Sequence, residues 1–458
     1  MDDMHALLPT LTPTTALSGC KKTSFAYDTL KDRMPVTLTQ AIDELSRQIL
    51  SSESVNNDTH TVNIKSIISA LGAIRYDLSR DKPFTSIQDD APDKLVWNTL
   101  LDSTWKNATW YSASWLFAEC YMYRKMEEAV RLSRVTDLDL FASKKQSAFI
   151  GSLPSVIELG QWLDSVVNSQ LKAGLEVDSV EDAEMLSDLL QFSLWGNQTD
   201  LSLLVHARHA DMYKSQVSSK SKLHESRKNI IVDDLDNVVS YLSTVANGVI
   251  VFVLDNAGFE LFSDLCLAHW LMHKGIAAKI VFHVKAFPWF VSDTTKSDLH
   301  WTLDYLSHLV SPFPSLVKTW QDWLTGLQWE VKAHPFFTTP YSYYDIRRVS
   351  PLLFSELQKA DFVFFKGDLN YRKLVYDCDW ETTTPFIKAI GDDVVDIKGA
   401  VLRTNKSDVC VGLESHDMAK RLGNEDPLWM VNGQRGVICT TFLVPKPIDA
   451  TCPDGGSL

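Results

Sequence analysis

The sequence lacks the features that a secreted, membrane-spanning or nucleic-acid-binding protein needs. No apolar stretch approaches the length of a transmembrane helix, and acidic residues stand where a signal peptide would be basic. The seven cysteines show no CxxC spacing, which argues against a zinc site or a disulfide scaffold. The net charge of −14 disfavours broad contact with nucleic acid or anionic membranes. We therefore expect a soluble protein with reduced thiols that binds neither nucleic acid nor membrane, with the cytoplasm as its location and the nucleus as an additional one.

The chain is long enough to require more than one packed region. At 458 residues it exceeds the size at which a single core usually stops growing. Helical periodicity dominates from about residue 37 to residue 243, which predicts a mainly helical N-terminal region over 1–243. The polar segment 209–234 is predicted to be an exposed helix or a connector. Residues 244–458 are predicted to form an α/β catalytic region that contains the metal and phosphate site.

Short, fully apolar runs appear after Gly248 and alternate with helical patterns. They include VIVFV, AAKIVFHV, DFVFF, AVLRT and GVICTTFLV, which are typical of strands buried on both faces. Strand–helix–strand repetition predicts a doubly wound sheet. The expected fold class is therefore α/β, a three-layer α/β/α Rossmann-like sheet preceded by an N-terminal helical subdomain.

Two adjacent oxygen donors, Asp255 and Asn256, follow the first of these strands. Open α/β sheets bind ligands at the carboxyl ends of their strands, where helix N-termini present free N–H groups. Carboxylate and amide oxygens suit a hard cation such as Mg²⁺ or Mn²⁺. The alternative is an Asx turn with Asn256 as the cap of the next helix. Glu260, one turn further on, extends the acidic character and weakens that alternative, although an acidic stripe that continues to Asp264 is usually a solvated helix face.

The next strand end contributes Asp293, which can complete a set of two carboxylates and one amide. Alone, Asp293 would be interpreted as a loop residue that caps the following helix. Lys285 in the same segment could meet an anion, but we expect its side chain to face solvent.

A third strand runs into Gly367 and Asp368, where a helix is predicted to start with Asp368 as its N-cap. Gly367 would permit close approach, and the backbone amides of the first turn could hold a phosphate. Arg372 follows on this helix, while Arg403 and Lys406 follow a later strand and offer two cations for a phosphoryl group. The alternatives are an ordinary capped helix and two ordinary exposed cations in a loop.

The order of these motifs resembles the damage-control phosphatases, in particular the eukaryotic branch that carries an RTxK motif. The resemblance rests on DNAGFE (255–260), VSD (291–293), FKGDLNYRKL (365–374), RTNK (403–406) and the upstream helix WLFAECYMYR (115–124). It implies a metal held by Asp255, Asn256 and Asp293. It also implies substrate contacts by Asp368, Leu369, Asn370, Tyr371, Arg372 and Lys406, to which our own interpretation adds Gly367 and Arg403.

The activity implied is metal-dependent hydrolysis of small phosphate monoesters, such as fructose 1-phosphate and fructose 6-phosphate. The cofactor would be Mn²⁺, Mg²⁺, Co²⁺ or Ni²⁺, and the partner a small phosphorylated metabolite. Asp255, Glu260 and Lys406 are the predicted catalytic residues. The nucleophile is either a metal-bound water deprotonated by Asp255 or Glu260, or Asp255 itself.

Two other functions are compatible with the sequence. Members of the same branch have also been described as glutamate methyltransferases, which would use S-adenosylmethionine on a protein substrate, with Glu260 and Asp293 associated with that cofactor. The turn after the first strand holds a single glycine, Gly258, and a carboxylate, which fits a metal better than this cofactor. A non-catalytic scaffold that senses a ligand is the third hypothesis.

Overall fold

The computed structural model describes residues 4–51, 58–135, 138–173, 179–196 and 225–442. One seven-stranded sheet organises them. Its strands are β1 (Ile230–Asp233), β2 (Gly248–Val253), β3 (Ala277–Val284), β4 (Trp329–Ala333), β5 (Phe362–Lys366), β6 (Gly399–Thr404) and β7 (Gly436–Thr440).

Helices surround this sheet, and in the described part of the chain none is long and apolar enough to cross a membrane. Those before the sheet are α1 (Phe25–Asp28), a π-helical segment (Thr29–Arg33), α2 (Met34–Ser51), α3 (Asp58–Ser79), α4 (Lys94–Asp102), α5 (Trp115–Leu132), α6 (Ala142–Gly151), α7 (Leu153–Ala173) and α8 (Ser179–Trp195). Those within it are α9 (Leu235–Leu242), α10 (Phe259–His273), α11 (Lys296–Ser307), α12 (Phe313–Thr325), α13 (Ile346–Val349), α14 (Pro351–Lys359), α15 (Gly367–Leu374), α16 (Phe386–Ala389), α17 (Asp392–Val395) and α18 (His416–Glu425). Two short 3-10 helices cover Pro335–Thr338 and Tyr343–Asp345.

The strand order is β1-β7-β6-β5-β2-β3-β4. From β2 the chain proceeds outward through β3 to β4, whereas β5 returns to the other side of β2 and β6 continues away from it. The direction of winding therefore reverses between β2 and β5, which are parallel neighbours. Open α/β sheets bind their ligands outside the strand ends at such a reversal.

Side chains that alternate along each strand build two separate cores, one on each face of the sheet. On one face Val251, Val253 and Phe365 pack with residues of α2, α3 and α5. On the other face Ile250 and Phe252 pack with residues of α7, α8 and α10. The N-terminal helices contribute to both cores and cover the two faces of the sheet. The predicted α/β class is confirmed, and the division of the chain at residue 243 stays a prediction.

Three features of the sheet differ from the sequence-based expectation. Strand β7 runs antiparallel to β6, so the sheet is mixed. Strand β1 lies in the segment that was predicted to be a connector, and it pairs with β7 only. Its four residues give too short an apolar run for a strand signal. Strand β4 was also missed, because only fully apolar runs were predicted as strands, whereas Glu330 and Lys332 alternate with apolar residues in this edge strand. Residues 209–224 of the predicted connector lie outside the described residues.

Candidate active site

The ends of β2 and β5 bring Asp255 and Gly367 into direct contact. A Cβ atom placed on Gly367 would lie 1.9 Å from Oδ2 and 2.1 Å from Cγ of Asp255. Gly367 also has a φ of +82°, a conformation that L side chains rarely adopt. The glycine predicted to allow close approach therefore does so, but the group that it admits is the Asp255 carboxylate.

The loop after β3 folds back onto the loop after β2 and carries Asp293 with it. Asn256 and Asp293 form an isolated antiparallel bridge, and the Thr294 amide donates 2.7 Å to the Asp255 carbonyl. The Ser292 hydroxyl donates to Asn256 Oδ1. All three predicted metal ligands therefore lie in one small region, and each is at most 8% exposed.

Backbone strain is concentrated immediately before Ser292. Phe290 and Val291 have φ values of +43° and +68°. A β-branched residue in this region is a genuine outlier, and such strain costs on the order of 1–3 kcal/mol per residue. The turn places the Ser292 hydroxyl on Asn256 and orients the backbone that leads into Asp293.

Negative charges converge on Asp255. Burial raises its pKa well above the ordinary value, and the carboxylates of Asp293 and Glu260 raise it further, against the opposing charges of Lys285 and Lys406. The Asn256 side-chain nitrogen lies between two of these carboxylates, contacting Asp255 and lying 2.9 Å from Glu260 Oε2. A cation bound here would favour the ionised form of Asp255.

Lys285 is not the solvent-facing lysine that was predicted. Its side chain is 2% exposed, and Nζ lies 2.9 Å from Asp293 Oδ2 while donating to the Leu254 carbonyl at 2.7 Å. Burial raises the pKa of Asp293, and the Lys285 charge opposes that rise. Lys285 therefore ties the end of β3 to the end of β2 beneath the site.

Glu260 and Asp264, at successive turns of α10, are buried and share one cation. Lys366 Nζ lies 3.1 Å from Glu260 and 3.3 Å from Asp264, and it donates to the Ser193 carbonyl at 2.6 Å. The Ser193 hydroxyl in turn donates 2.6 Å to Asp264. The interpretation of this stripe as a solvated helix face is wrong, because a buried lysine at the end of β5 neutralises it.

Asp368 is the organising group of the loop after β6. Its Oδ1 accepts from Arg403 Nε at 2.7 Å, from the Lys406 amide at 3.0 Å and from the Ser407 hydroxyl at 3.0 Å. Burial would raise the pKa of Asp368, but the charges of Arg403 and Arg372 outweigh it and lower the pKa. Helix α15 begins at Gly367, so Asp368 lies inside its first turn and is not the predicted N-cap.

Arg403 is a supporting residue in this structure, not an open cation. It is fully buried, and its remaining guanidinium nitrogens donate to the Val409 carbonyl at 2.8 Å and to Ser407. Lys406, which also belongs to the RTNK motif, is partly exposed at the same strand end. Burial lowers the pKa of Lys406, against the carboxylates of Glu260 and Asp255, which places its ammonium close to the acidic centre.

The other residues of α15 that were predicted to contact the substrate are also bonded to or buried among residues of the protein itself. Asn370 donates to the Val253 and Lys366 carbonyls, and its Oδ1 accepts from Tyr343. The Tyr371 hydroxyl accepts from the Val411 amide at 2.9 Å, and Leu369 is 5% exposed. Arg372 pairs with Asp377 and Glu119. Within Gly367–Arg372 only the Asp368 side chain is partly exposed, so these side chains position the site and leave the backbone of the first turn to meet a ligand.

The donor chemistry of Asp255, Asn256 and Asp293 fits a hard divalent cation. Two carboxylates and one amide oxygen would be completed by water or substrate oxygens, as Mg²⁺ and Mn²⁺ sites usually are. In the described residues no group of three or more His, Cys, Asp or Glu side chains is arranged to hold a metal. The three candidate ligands contain only two such side chains, because the third is Asn256.

The sequence did not predict the roles that three residues have in the site: Lys366, Asp264 and Ser292. Lys366 offered a usable signal, since a lysine that ends a fully apolar strand must be paired if it is buried. The strained turn before Ser292 left no signal, because neither Phe290 nor Val291 is a residue that favours a positive φ.

The pKa of Asp264 predicts how stability changes with pH. Burial raises it to about 7, with Lys366 opposing and Glu260 adding to the rise. In the unfolded chain it would be about 3.9. From about pH 4 to about pH 7 the folded state therefore holds a proton that the unfolded state has released, so this group makes the free energy of unfolding fall as pH rises. Denaturant unfolding at about pH 5 and about pH 8 should show a larger fall for the wild type than for Asp264→Asn; equal falls would contradict the assignment.

The fold and the site define an α/β protein with an acidic centre at a sheet reversal, bordered by lysines and by a strand-to-helix turn suited to anions. The damage-control phosphatase ARMT1-like domain matches residues 29–422. The damage-control phosphatase ARMT1 of Xenopus tropicalis is 35% identical over 93% of this chain and 98% of its own, and the human protein of that name is 33% identical over 92% and 97%. A DUF89 family protein from Pyrococcus horikoshii aligns in structure with a TM-score of 0.40 and 13% identity, covering 83% of this chain and 91% of that one. The chain belongs to the ARMT1-like damage-control phosphatase family, which confirms the resemblance drawn from its motifs.

Proposed function

We propose that this chain is a metal-dependent phosphatase that hydrolyses small phosphate monoesters, with sugar phosphates such as fructose 1-phosphate and fructose 6-phosphate as substrates. The observation that carries the proposal is the convergence of Asp255, Asn256 and Asp293 at the β2–β5 reversal, directly against the Gly367 turn. Family membership supports it, since the similar proteins are named damage-control phosphatases.

A divalent cation held by Asp255, Asn256 and Asp293 would polarise the phosphoryl group and neutralise charge that develops on it. The chain supplies the remaining positioning. Lys406 brings a partly exposed ammonium to the acidic centre, and Asp368 fixes the Lys406 backbone through its 3.0 Å contact. Arg403 acts through Asp368, since its guanidinium is fully occupied. Most catalysis of phosphoryl transfer consists of such positioning and charge stabilisation.

Two routes of attack on phosphorus are compatible with the residues of this region. Asp255 could attack phosphorus directly, or a water could attack after losing its proton to Asp255 or Glu260. Glu260 accepts from Asn256 and pairs with Lys366, so its carboxylate is held on the site side of α10. A beryllofluoride adduct on Asp255, seen by mass spectrometry or crystallography, would exclude the water-first route, whereas inversion of configuration at phosphorus in a chiral thiophosphate ester would support it, because attack by water is a single displacement.

A panel of phosphate esters tests the proposal. We expect wild-type protein with Mg²⁺, Mn²⁺, Co²⁺ or Ni²⁺ to release phosphate from one or more sugar phosphates, and a chelator to stop the release. The preferred metal is left to the experiment, because affinity and cellular supply differ among these ions. Release that is unchanged by chelator, or no release from any ester with any metal, would contradict the proposal.

The methyltransferase hypothesis gains no specific support from the site geometry. Glu260, one of the residues associated with S-adenosylmethionine in that hypothesis, is 3% exposed and already paired with Lys366 and Asn256. The other, Asp293, is 2% exposed and paired with Lys285. Titration calorimetry with S-adenosylmethionine separates the two activities, since saturable binding without metal-dependent phosphate release would favour methyl transfer.

A further inference from the structure

One face of α5 runs beside the candidate site and ends in Tyr123, a residue that has no role in the proposed mechanism. Trp115, Glu119 and Tyr123 are four residues apart, so they line one stripe of the helix. Trp115 lies 3.7 Å from the Arg372 guanidinium, and Glu119 accepts from Arg372 at 2.6 Å. This anchorage to α15 fixes where the last member of the stripe, Tyr123, is placed.

Tyr123 lies against the loop that carries Asp293. Its ring stacks on Phe290 with centroids 4.8 Å apart and planes 24° apart, and it lies 5.8 Å from Trp289. Burial raises the pKa of Tyr123, and the charges of Glu119 and Asp293 raise it further, which places the phenol near the acidic centre. The residue is 6% exposed, yet among the described residues its hydroxyl has no hydrogen-bond partner. The hydroxyl keeps some solvent exposure, so a ligand atom can hydrogen-bond to it.

A second element, the π-helical segment Thr29–Arg33, is held to the RTNK loop. The Phe25 amide just before it donates 3.0 Å to Asp408, two residues beyond Lys406, and the Phe25 ring packs edge-on against Trp115 at 5.8 Å. The Arg33 guanidinium lies 5.0 Å from the centre of the Phe25 ring. Short π-helical turns occur frequently at functional sites.

Arg33 is an exposed cation close to these groups. Burial is the main cause that lowers the pKa of Lys406, and the Arg33 charge adds to it; the same charge opposes the rise in the pKa of Tyr123. Phe25 connects Arg33 to both neighbouring elements, because it contacts Asp408 just after the RTNK motif and Trp115 on the stripe of α5. It forms no salt bridge with any described residue. Its planar guanidinium matches the geometry of phosphate oxygens.

We propose that Arg33 and Tyr123 contact the phosphorylated substrate: Arg33 pairs with the phosphoryl group beside Lys406, and the Tyr123 hydroxyl hydrogen-bonds to the organic part of the ester. This inference rests on the proposed function. It assigns substrate selection in part to the N-terminal helices, which the sequence had suggested were only a helical region beside the catalytic one.

The test compares Arg33→Gln and Tyr123→Phe on two phosphate esters that differ in hydroxyl content, fructose 6-phosphate and p-nitrophenyl phosphate. Arg33→Gln should raise KM for both esters by about tenfold with little change in kcat, as expected for a charge-assisted contact. Tyr123→Phe keeps the ring that stacks on Phe290, so it should lower kcat/KM several-fold for the sugar phosphate and leave the aryl phosphate unchanged.

Matched controls are Arg47→Gln, at an exposed arginine of α2 paired with Glu44, and Tyr76→Phe, at a tyrosine 53% exposed on α3. Neither should change either parameter. Values of KM and kcat/KM unchanged in Arg33→Gln and Tyr123→Phe would overturn the inference.

Calorimetric measurement of the binding of fructose 6-phosphate and of inorganic phosphate separates this inference from the proposed function. If the wild type binds fructose 6-phosphate but does not hydrolyse it, the phosphatase proposal fails. Weaker binding of both ligands by Arg33→Gln, and of the sugar phosphate alone by Tyr123→Phe, would still support the contacts. Equal binding by wild type and variants, or no binding by the wild type, would overturn them.

Discussion

Gly367→Ala is expected to lower the rate of ester hydrolysis by about 100-fold or more, because a displacement of about 1 Å at a reacting group is enough for such a loss. The new methyl group would overlap the Asp255 carboxylate, whose Oδ2 lies 1.9 Å from the ideal Cβ position. Asp255 belongs to a buried loop held by the Thr294 amide, so its side chain has little room to retreat. Initial rates of phosphate release, measured at saturating metal and ester, check this expectation.

The control for backbone strain is Gly275→Ala. Gly275 also has a positive φ, +68°, but no atom lies within 4 Å of its ideal Cβ position. Both variants should lose on the order of 1–2 kcal/mol of folding stability because alanine is disfavoured in this conformation, and Gly367→Ala should lose more because its methyl group also overlaps Asp255. Only Gly367→Ala should also lose activity. An active Gly367→Ala protein, or an equally inactive Gly275→Ala protein, would show that the contact with Asp255 is not what the reaction needs.

Lys366→Met is expected to cost about 3–5 kcal/mol of folding stability near neutral pH, the usual range when one partner of a buried ion pair is removed. The fully buried ammonium faces Glu260 and Asp264 and donates to the Ser193 carbonyl, so methionine would leave two buried carboxylates without their cation. The penalty should shrink at low pH, where Asp264, whose pKa is raised by burial, takes up a proton. Denaturant unfolding of the wild type and of Lys366→Met, near neutral pH and at low pH, measures the size and the direction of this change in folding stability.

Lys318→Met provides the comparison for an exposed pair. Lys318 is 75% exposed and lies 3.3 Å from Asp322 one turn along α12. Its replacement should change stability by less than about 1 kcal/mol. Adding Asp264→Asn to Lys366→Met should restore part of the lost stability, because one uncompensated charge is removed. If Lys366→Met were as mild as Lys318→Met, the buried cation would not be what balances the acidic face of α10.

Sequence patterns were sufficient to predict where the site lies but not how its side chains are used. Fully apolar strands that end in polar residues predicted the edge of the sheet, and the structure places Asp255, Asn256, Asp293 and Gly367 there together. Their spacing along the chain is set by the strands and helices between them, which periodicity reveals. Whether they bind metal remains a prediction.

The cations were the part that local pattern could not resolve. Lys285, Lys366 and Arg403 all lie near strand ends, where the sequence indicates that a buried cation must be paired but not which cations are buried or which carboxylates they meet. Asp293 follows Lys285 in the same loop, but Glu260 and Asp368 are distant in sequence from Lys366 and Arg403, and those two pairings become evident only from the strand order. The same limitation concealed Tyr123, whose neighbour Phe290 comes from a distant loop.

The central claim is that Asp255, Asn256 and Asp293 hold a cation on which hydrolysis depends. Its most direct test is the rate of phosphate release from the best ester of the panel, measured across a Mn²⁺ titration for wild type, Asp255→Asn and the surface control Asp77→Asn. We predict a saturable rise for wild type and Asp77→Asn, abolished by chelator, and a loss of about 100-fold or more for Asp255→Asn at every Mn²⁺ concentration. Wild-type release that does not depend on metal, or an Asp255→Asn titration that matches the wild type, would contradict the account.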